Sequence, residues 1–355
     1  MIPSHLRKDA LALVLVLPAL MLPAAPAFAQ EAPKPTAEMQ AVLDKLKELQ
    51  AQPVSTLTVP QARMQASAAD AAAAVQRDRK ISPAPESKVT TKDIAIPAKS
   101  GNLPARLYIP EGGAGPLPVI VYYHGGGWVI ADINTYDASA RGLALGAGAI
   151  VVSVDYRHAP EHKFPAQHQD AYDAYVWTVE NIGSENGDTR RIAVAGESAG
   201  ANLAADVALM AKEMKATLPV HQLLVYPIAS NSMETPSKKA FTDTAPLSTP
   251  DIGWFVDHVF AAKAETADPR VNLVGRTDLS GLPPATVIAA EIDPLRSETE
   301  EYAEKLKTAG VSVNAKTFSG VTHEFFGMAK ILPQAKEAME MATGDLKQAF
   351  AKTAP

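Results

Sequence analysis

One serine in this chain sits between two glycines at a spacing that suits a nucleophile. Gly196-Glu197-Ser198-Ala199-Gly200 follows the apolar, partly β-branched run Ile192-Ala193-Val194-Ala195 and precedes an Ala/Leu-rich run from Ala201 to Met210. Strand, Gly-x-Ser-x-Gly, helix is the context in which a sharp turn lifts a serine out to attack an acyl carbon. A side chain at either glycine would collide with the neighbouring strand or helix. The helix beginning after Ser198 also turns backbone N–H groups and its positive end toward the reacting centre. A serine hydroxyl needs a base, and the base needs a carboxylate to orient it. Downstream, residues 285–290 resemble a buried strand that runs out to Asp293-Pro294, and residues 313–318 a last strand leading to His323-Glu324-Phe325. Ser198, Asp293 and His323 thus follow an order known for hydrolytic triads, each at the carboxyl end of a predicted strand, where open α/β sheets bind ligands.

A second motif supplies the other half of the chemistry. Tyr122-Tyr123-His124-Gly125-Gly126-Gly127-Trp128 follows the apolar residues 118–121. Three consecutive glycines let the backbone approach a substrate and aim its N–H groups at a developing oxyanion. A phosphate-binding loop is disfavoured, because no Gly-Lys-Ser/Thr follows and Trp128 offers an apolar surface instead. Several residues compete for roles. His258 falls in a predicted helix, 252–260, and suits packing or the surface. His158, His162 and His168 crowd one stretch, yet Pro160 and Pro165 break any helix that would align them. No cysteine or paired carboxylate completes a zinc set, so no metal is expected. Glu291 rivals Asp293 but falls on the strand itself, whereas a loop position suits a residue reaching across to a histidine. Glu197 either tunes the serine or faces solvent at the helix start.

These motifs together resemble the hormone-sensitive-lipase-like esterases. The resemblance rests on His124-Gly125-Gly126-Gly127, Asp155-Tyr156-Arg157-His158-Ala159-Pro160-Glu161, Phe164-Pro165-Ala166, the serine pentapeptide with Asn202-Leu203-Ala204, Asp293-Pro294-Leu295, and His323-Glu324-Phe325. It covers roughly residues 89–336, and several independent motifs in the right order make it specific. It implies Ser198 as nucleophile, His323 as base and acid, and Asp293 as orienter, with backbone N–H groups of Gly126, Gly127 and Ala199 as oxyanion donors. It further implies a small or short-acyl ester as substrate and no metal or organic cofactor. Pairing of two copies through a sheet edge into a homodimer is a family habit, although no edge signal here decides it. The chain departs from the family at Glu197 (usually Asp or Thr), Ala201 (Gly), His158 (Leu) and Glu324 (Gly). None of these removes a catalytic group; they bear on the substrate.

The elements that must position these groups alternate along the chain. Residues 89–96 and 105–109 predict an antiparallel edge pair. Residues 119–123, 150–154, 192–195, 223–226, 286–290 and 314–318 predict mainly parallel core strands, several continuously apolar as burial on both faces requires. Predicted helices at 138–145, 170–180 and 298–308 fill gaps between them. The fold class is α/β, specifically the α/β-hydrolase fold, a mainly parallel sheet flanked by helices with a small helical cap. Ahead of it, residues 38–49 place Val42, Leu43, Leu46 and Leu49 at helical spacing, and Pro60 begins a second helix that runs to Lys80. Pro83 and Pro85 mark a boundary. The expected organisation is a signal at 1–29, a flexible linker at 30–37, a helical pre-segment at 38–85 that contributes to the cap, and a catalytic domain at 86–355. The cap insertion spans about 230–278, where Phe241, Trp254, Phe255 and Phe260 offer an apolar wall.

Composition bounds the remaining choices. At 355 residues and 47% hydrophobic, the chain can bury one large core. A formal charge of −6 without a basic run disfavours nucleic acid as a partner. The absence of cysteine excludes disulfides, a thiolate nucleophile and a Cys-ligated zinc. Arg7 and Lys8, the apolar residues 10–22 and Ala27-Phe28-Ala29 predict an export signal cleaved after Ala29, giving a periplasmic or secreted protein with no stable membrane insertion after cleavage. Rival functions are a lactonase or acetylated-sugar deacetylase using the same triad, and an amidase or peptidase, disfavoured because amines leave poorly. A non-catalytic ligand-binding protein on the same scaffold would be expected to lose a triad member, and this chain retains all three.

Overall fold

The computed structural model describes Met1 and residues 33–82, 88–113 and 115–353. The expected signal at 1–29, the start of the linker, and Pro83 and Pro85 lie outside the described residues. Among the described residues eight strands form one sheet: β1 Val89–Ala98, β2 Gly101–Pro110, β3 Leu117–Tyr123, β4 Ile150–Val154, β5 Gly187–Glu197, β6 Gln222–Val225, β7 Ala285–Ile292 and β8 Val313–Thr322. Their order across the sheet is β1-β2-β4-β3-β5-β6-β7-β8. The β1–β2 hairpin is antiparallel and β2 meets β4 antiparallel, while every other neighbouring pair is parallel. The alternating pleat explains the unbroken apolar runs. Along β3, Val119, Val121 and Tyr123 enter one hydrophobic cluster, and Ile120 and Tyr122 enter a second.

Ten α-helices accompany the strands among the described residues: α1 Ala37–Glu48, α2 Val59–Met64, α3 Ala68–Asp78, α4 Asp137–Ala147, α5 Ala166–Asn181, α6 Ala199–Glu213, α7 Pro236–Ala240, α8 Thr249–Val259, α9 Arg296–Thr308 and α10 Pro333–Lys352. Helices α5, α6 and α9 supply Ala171, Leu203 and Tyr302 to the first cluster; α4 and α10 supply Leu143 and Leu346 to the second. Helix α6 is buried along most of its length, and its many alanines let it lie close beneath the sheet. Helix α10 follows the last strand, with Pro333 in its first turn and a buried stripe through Ala335, Ala338, Met339, Ala342 and Leu346.

The pre-segment divides between the two clusters. Thr36 caps α1, whose face Met39, Val42 and Leu46 joins the second cluster together with Ala71 and Val75 of α3. The single helix expected from Pro60 to Lys80 is two, α2 and α3. Gln65 leaves helical geometry, and Ser67 starts α3 in a reciprocal cap with Asp70, which offers the backbone a better partner than continuing the turn. The 3-10 turn Val54–Thr56 and the Leu57 that follows it bond α8 instead: Ser55 N–H donates to Asp251 Oδ1 at 2.9 Å, and Trp254 Nε1–H to the Leu57 carbonyl at 2.9 Å. The root of the insertion is fixed by a buried ion pair, Lys238 Nζ to Glu298 Oε2 at 2.5 Å. The other oxygen of Glu298 accepts the Ala229 and Ser230 N–H groups at 2.9 and 3.2 Å. Among the described residues no helix is long and apolar enough to cross a membrane.

Candidate active site

The serine turn is built where β5 ends and α6 begins. Ser198 holds φ 56° and ψ −119°, a strained conformation for a residue with a side chain, and its N–H donates to the Val225 carbonyl of β6 at 2.9 Å. The strain is tolerable because the turn is packed on every side. A Cβ added at Gly200 would lie 2.0 Å from the Tyr123 carbonyl oxygen and 2.4 Å from that of His124, so only glycine lets α6 approach the end of β3. The same contact brings the glycine-rich loop against the serine turn.

The three residues singled out by order and position come together. His323 Nε2 lies 2.9 Å from Ser198 Oγ, and His323 Nδ1 lies 2.7 Å from Asp293 Oδ2. Asp293 is fully buried, and its other oxygen accepts the Leu295 N–H at 2.8 Å. An ionised carboxylate only accepts, so the imidazole proton belongs on Nδ1 and Nε2 is left to receive the serine proton. Glu291 takes no part. It lies on β7, as expected from the sequence, and its Oε2 accepts the Gly320 N–H at 2.8 Å.

The glycine loop leaves β3 with positive φ at Gly126 and Gly127, 92° and 57°. The Gly126 carbonyl accepts N–H groups of Val129 and Ile130, which turns the chain back at once. Gly127 lies under α8: a Cβ there would sit 2.3 Å from the ring of Phe255. The other expected wall residues go elsewhere. Phe260 packs on Trp128 and Phe164, Trp254 bonds Leu57, and Phe241 lies beneath the Arg296 guanidinium.

Two further carboxylates surround the histidine. Glu197 is buried rather than solvent-facing, and accepts the Tyr122 and Tyr226 hydroxyls at 2.6 and 2.5 Å. The Tyr226 ring lies 4.5 Å from the His323 ring. Glu324 accepts the Tyr136 hydroxyl at 2.7 and 2.8 Å, and its Oε1 lies 3.8 Å from His323 Nε2. Burial and the Glu324 charge push Glu197 up to about 7, against the pull of hydrogen bonds from Ser139, Tyr122 and Tyr226. For His323, burial alone would lower the pKa. The charge and hydrogen bond of Asp293, with Glu324 and Glu197 behind them, overcome it and leave the imidazole above its ordinary value. Burial has the last word at His158, His168 and His221, each pushed down to about 4. Tyr136 and Tyr226 escaped the sequence analysis, Tyr122 entered it only as part of the glycine motif, and Glu324, directly after His323, only as a departure from the family. His168 bonds Asn202 Oδ1 at 2.9 Å, His162 is exposed, and His258 bonds the Trp254 carbonyl within α8.

Residues 120–327 match the family described by the alpha/beta hydrolase fold. The chain is 42% identical over 256 residues to carboxylesterase NlhH of Mycobacterium tuberculosis, covering 70% of this chain and 79% of that protein. The chain belongs to the hormone-sensitive-lipase-like branch of the α/β-hydrolase family. It is also 34% identical over 260 residues to ethyl acetate hydrolase of Pseudomonas putida, covering 72% of this chain and 82% of that one. Among solved structures, the hyperthermophilic esterase from the archaeon Pyrobaculum calidifontis superposes with a TM-score of 0.80 at 36% identity, covering 91% of this chain and all of that one.

Proposed function

We propose that this carboxylic ester hydrolase is an exported serine esterase acting on short-acyl or small esters through Ser198, His323 and Asp293. The unbroken line of hydrogen bonds from Ser198 Oγ through His323 to Asp293 carries the assignment. Ser198 Oγ attacks the ester carbonyl while His323 Nε2 takes its proton. Asp293 holds the imidazole in the tautomer that can do so and stabilises its positive charge. The C–O bond to the alcohol breaks as His323 returns the proton to the leaving oxygen, giving an acyl-serine. Water, deprotonated by the same nitrogen, then releases the acid and restores Ser198. The oxyanion of each tetrahedral intermediate is received by the N–H groups of Gly126, Gly127 and Ala199, and losing one such donor costs about 3 kcal/mol of transition-state stabilisation.

The preference for small acyl groups is supported by Phe255, which closes directly over Gly127, and by the relative named for ethyl acetate hydrolysis. The 3-10 turn, α2 and α8 act together as the lid over this opening. The test is hydrolysis of p-nitrophenyl esters from acetyl to palmitoyl. Activity that falls with acyl length supports the proposal; activity that peaks at palmitoyl overturns the short-acyl part of it.

A further inference from the structure

Outside the serine site, His124, Asp155 and His158 each bring one metal-ligating atom within 4.8 Å of the others. His124 opens the glycine loop after β3; Asp155 and His158 follow β4, the neighbouring strand. His124 is fully buried, and its Nδ1 faces the Gly125 carbonyl at 2.8 Å. A carbonyl only accepts, so the ring proton belongs on Nδ1 and Nε2 carries a lone pair. That Nε2 has no hydrogen-bond partner among the described residues and faces Asp155 Oδ1 at 3.8 Å. His158 Nε2 is likewise buried without a partner. Two imidazoles and a carboxylate therefore lie together, and a nitrogen of each imidazole is buried without a hydrogen-bond partner among the described residues, an arrangement that needs an explanation.

We propose that His124, Asp155 and His158 form a binding site for a divalent transition metal ion of the zinc type. Two imidazoles and a carboxylate are a donor set such ions take, with the fourth position left for water. Zinc bonds of about 2.0–2.2 Å place tetrahedral ligand atoms roughly 3.3 Å apart. The half-exposed side chain of Asp155 can turn to close the difference, being 32% exposed. The nearby Arg63 guanidinium does not oppose a cation with its full charge, because Glu161 holds it through two bonds of 2.7 and 2.8 Å. The expectation from the sequence is that no metal binds, because His158 is weighed there with His162 and His168, whereas the histidine that joins it here comes from the glycine loop. A bound ion would tie the loop bearing Gly126 and Gly127 to the segment after β4, reinforcing the bond from the Ala159 N–H to the Trp128 carbonyl. Ion binding itself does not depend on the assignment of Ser198.

The test is calorimetric titration of Zn2+ into the untagged, chelator-stripped full chain, beside His158→Leu, Asp155→Asn and His162→Gln. The expected result is one ion per chain, unchanged in His162→Gln and weakened more than about tenfold in the other two, at least the loss seen when a supporting residue of a metal site is removed. Thermal unfolding should shift upward with Zn2+ in the wild type and His162→Gln alone. If His158→Leu does not fold, Asp155→Asn decides. No uptake at millimolar Zn2+, or equal uptake by all four proteins, overturns the proposal.

Discussion

As the proposed base, His323 must be neutral to accept the serine proton and charged an instant later, and the groups around it set the balance. Asp293, Glu324 and Glu197 all favour the imidazolium, so its pKa stands above the ordinary 6.5 despite burial. The sign follows: below the raised pKa the base is protonated and idle, so kcat/KM should fall on the acid side with an apparent pKa above 6.5. Glu324→Gln removes one of these charges without touching the serine, so the acid limb should move to lower pH, measured as a pH–rate profile on p-nitrophenyl acetate. An unmoved limb would mean that the carboxylate 3.8 Å from Nε2 does not reach the base electrostatically. Asp293→Asn should lower kcat about 10⁴-fold while thermal unfolding stays close to wild type, because it leaves the shape and reverses the tautomer.

At the scale of elements, the serine turn depends on α6 and β3 approaching to backbone contact. Gly200→Ala puts a Cβ 2.0 Å from the Tyr123 carbonyl, so it should abolish activity together with solubility or a large part of the unfolding free energy, unlike a change at Ser198. The junction of α7 and α9 is as demanding. Glu298→Ala strands the Lys238 ammonium in the interior and should cost about 3–5 kcal/mol in denaturant unfolding. How much of this was legible follows from what sequence periodicity reports. All eight strands were visible, the central ones because burial on both faces leaves continuous apolar runs and the largely exposed β8 by alternation, and Ser198, Asp293 and His323 were visible because each follows a predicted strand. The break between α2 and α3 was written in Ser67 and Asp70, a capping signal outweighed by the long alanine stretch. Helix α10 had its own stripe, but its alanines make a faint apolar face. The tyrosines around Glu197 and Glu324 could not be found, because Tyr122, Tyr136 and Tyr226 are far apart in sequence and meet only once the sheet closes.

At the scale of the whole molecule, a sheet covered on both faces carries chemistry at one end of its strands, and the segment before β1 serves both faces. Val54, Val59 and Ala62 join the first cluster while α1 and α3 brace the second. Export is a separate claim about the chain: expressed in a bacterial host, the protein recovered outside the cytoplasm should begin at Gln30 by intact mass, and full-length cytoplasmic protein would contradict it. The central claim concerns one oxygen atom. A fluorophosphonate probe, which reacts with an activated serine, should add once per chain and map by peptide mass spectrometry to Ser198. Ser198→Ala should remain folded, take no label and lose at least about 10⁴-fold in ester hydrolysis. Labelling at another serine, or undiminished hydrolysis by Ser198→Ala, would contradict the account.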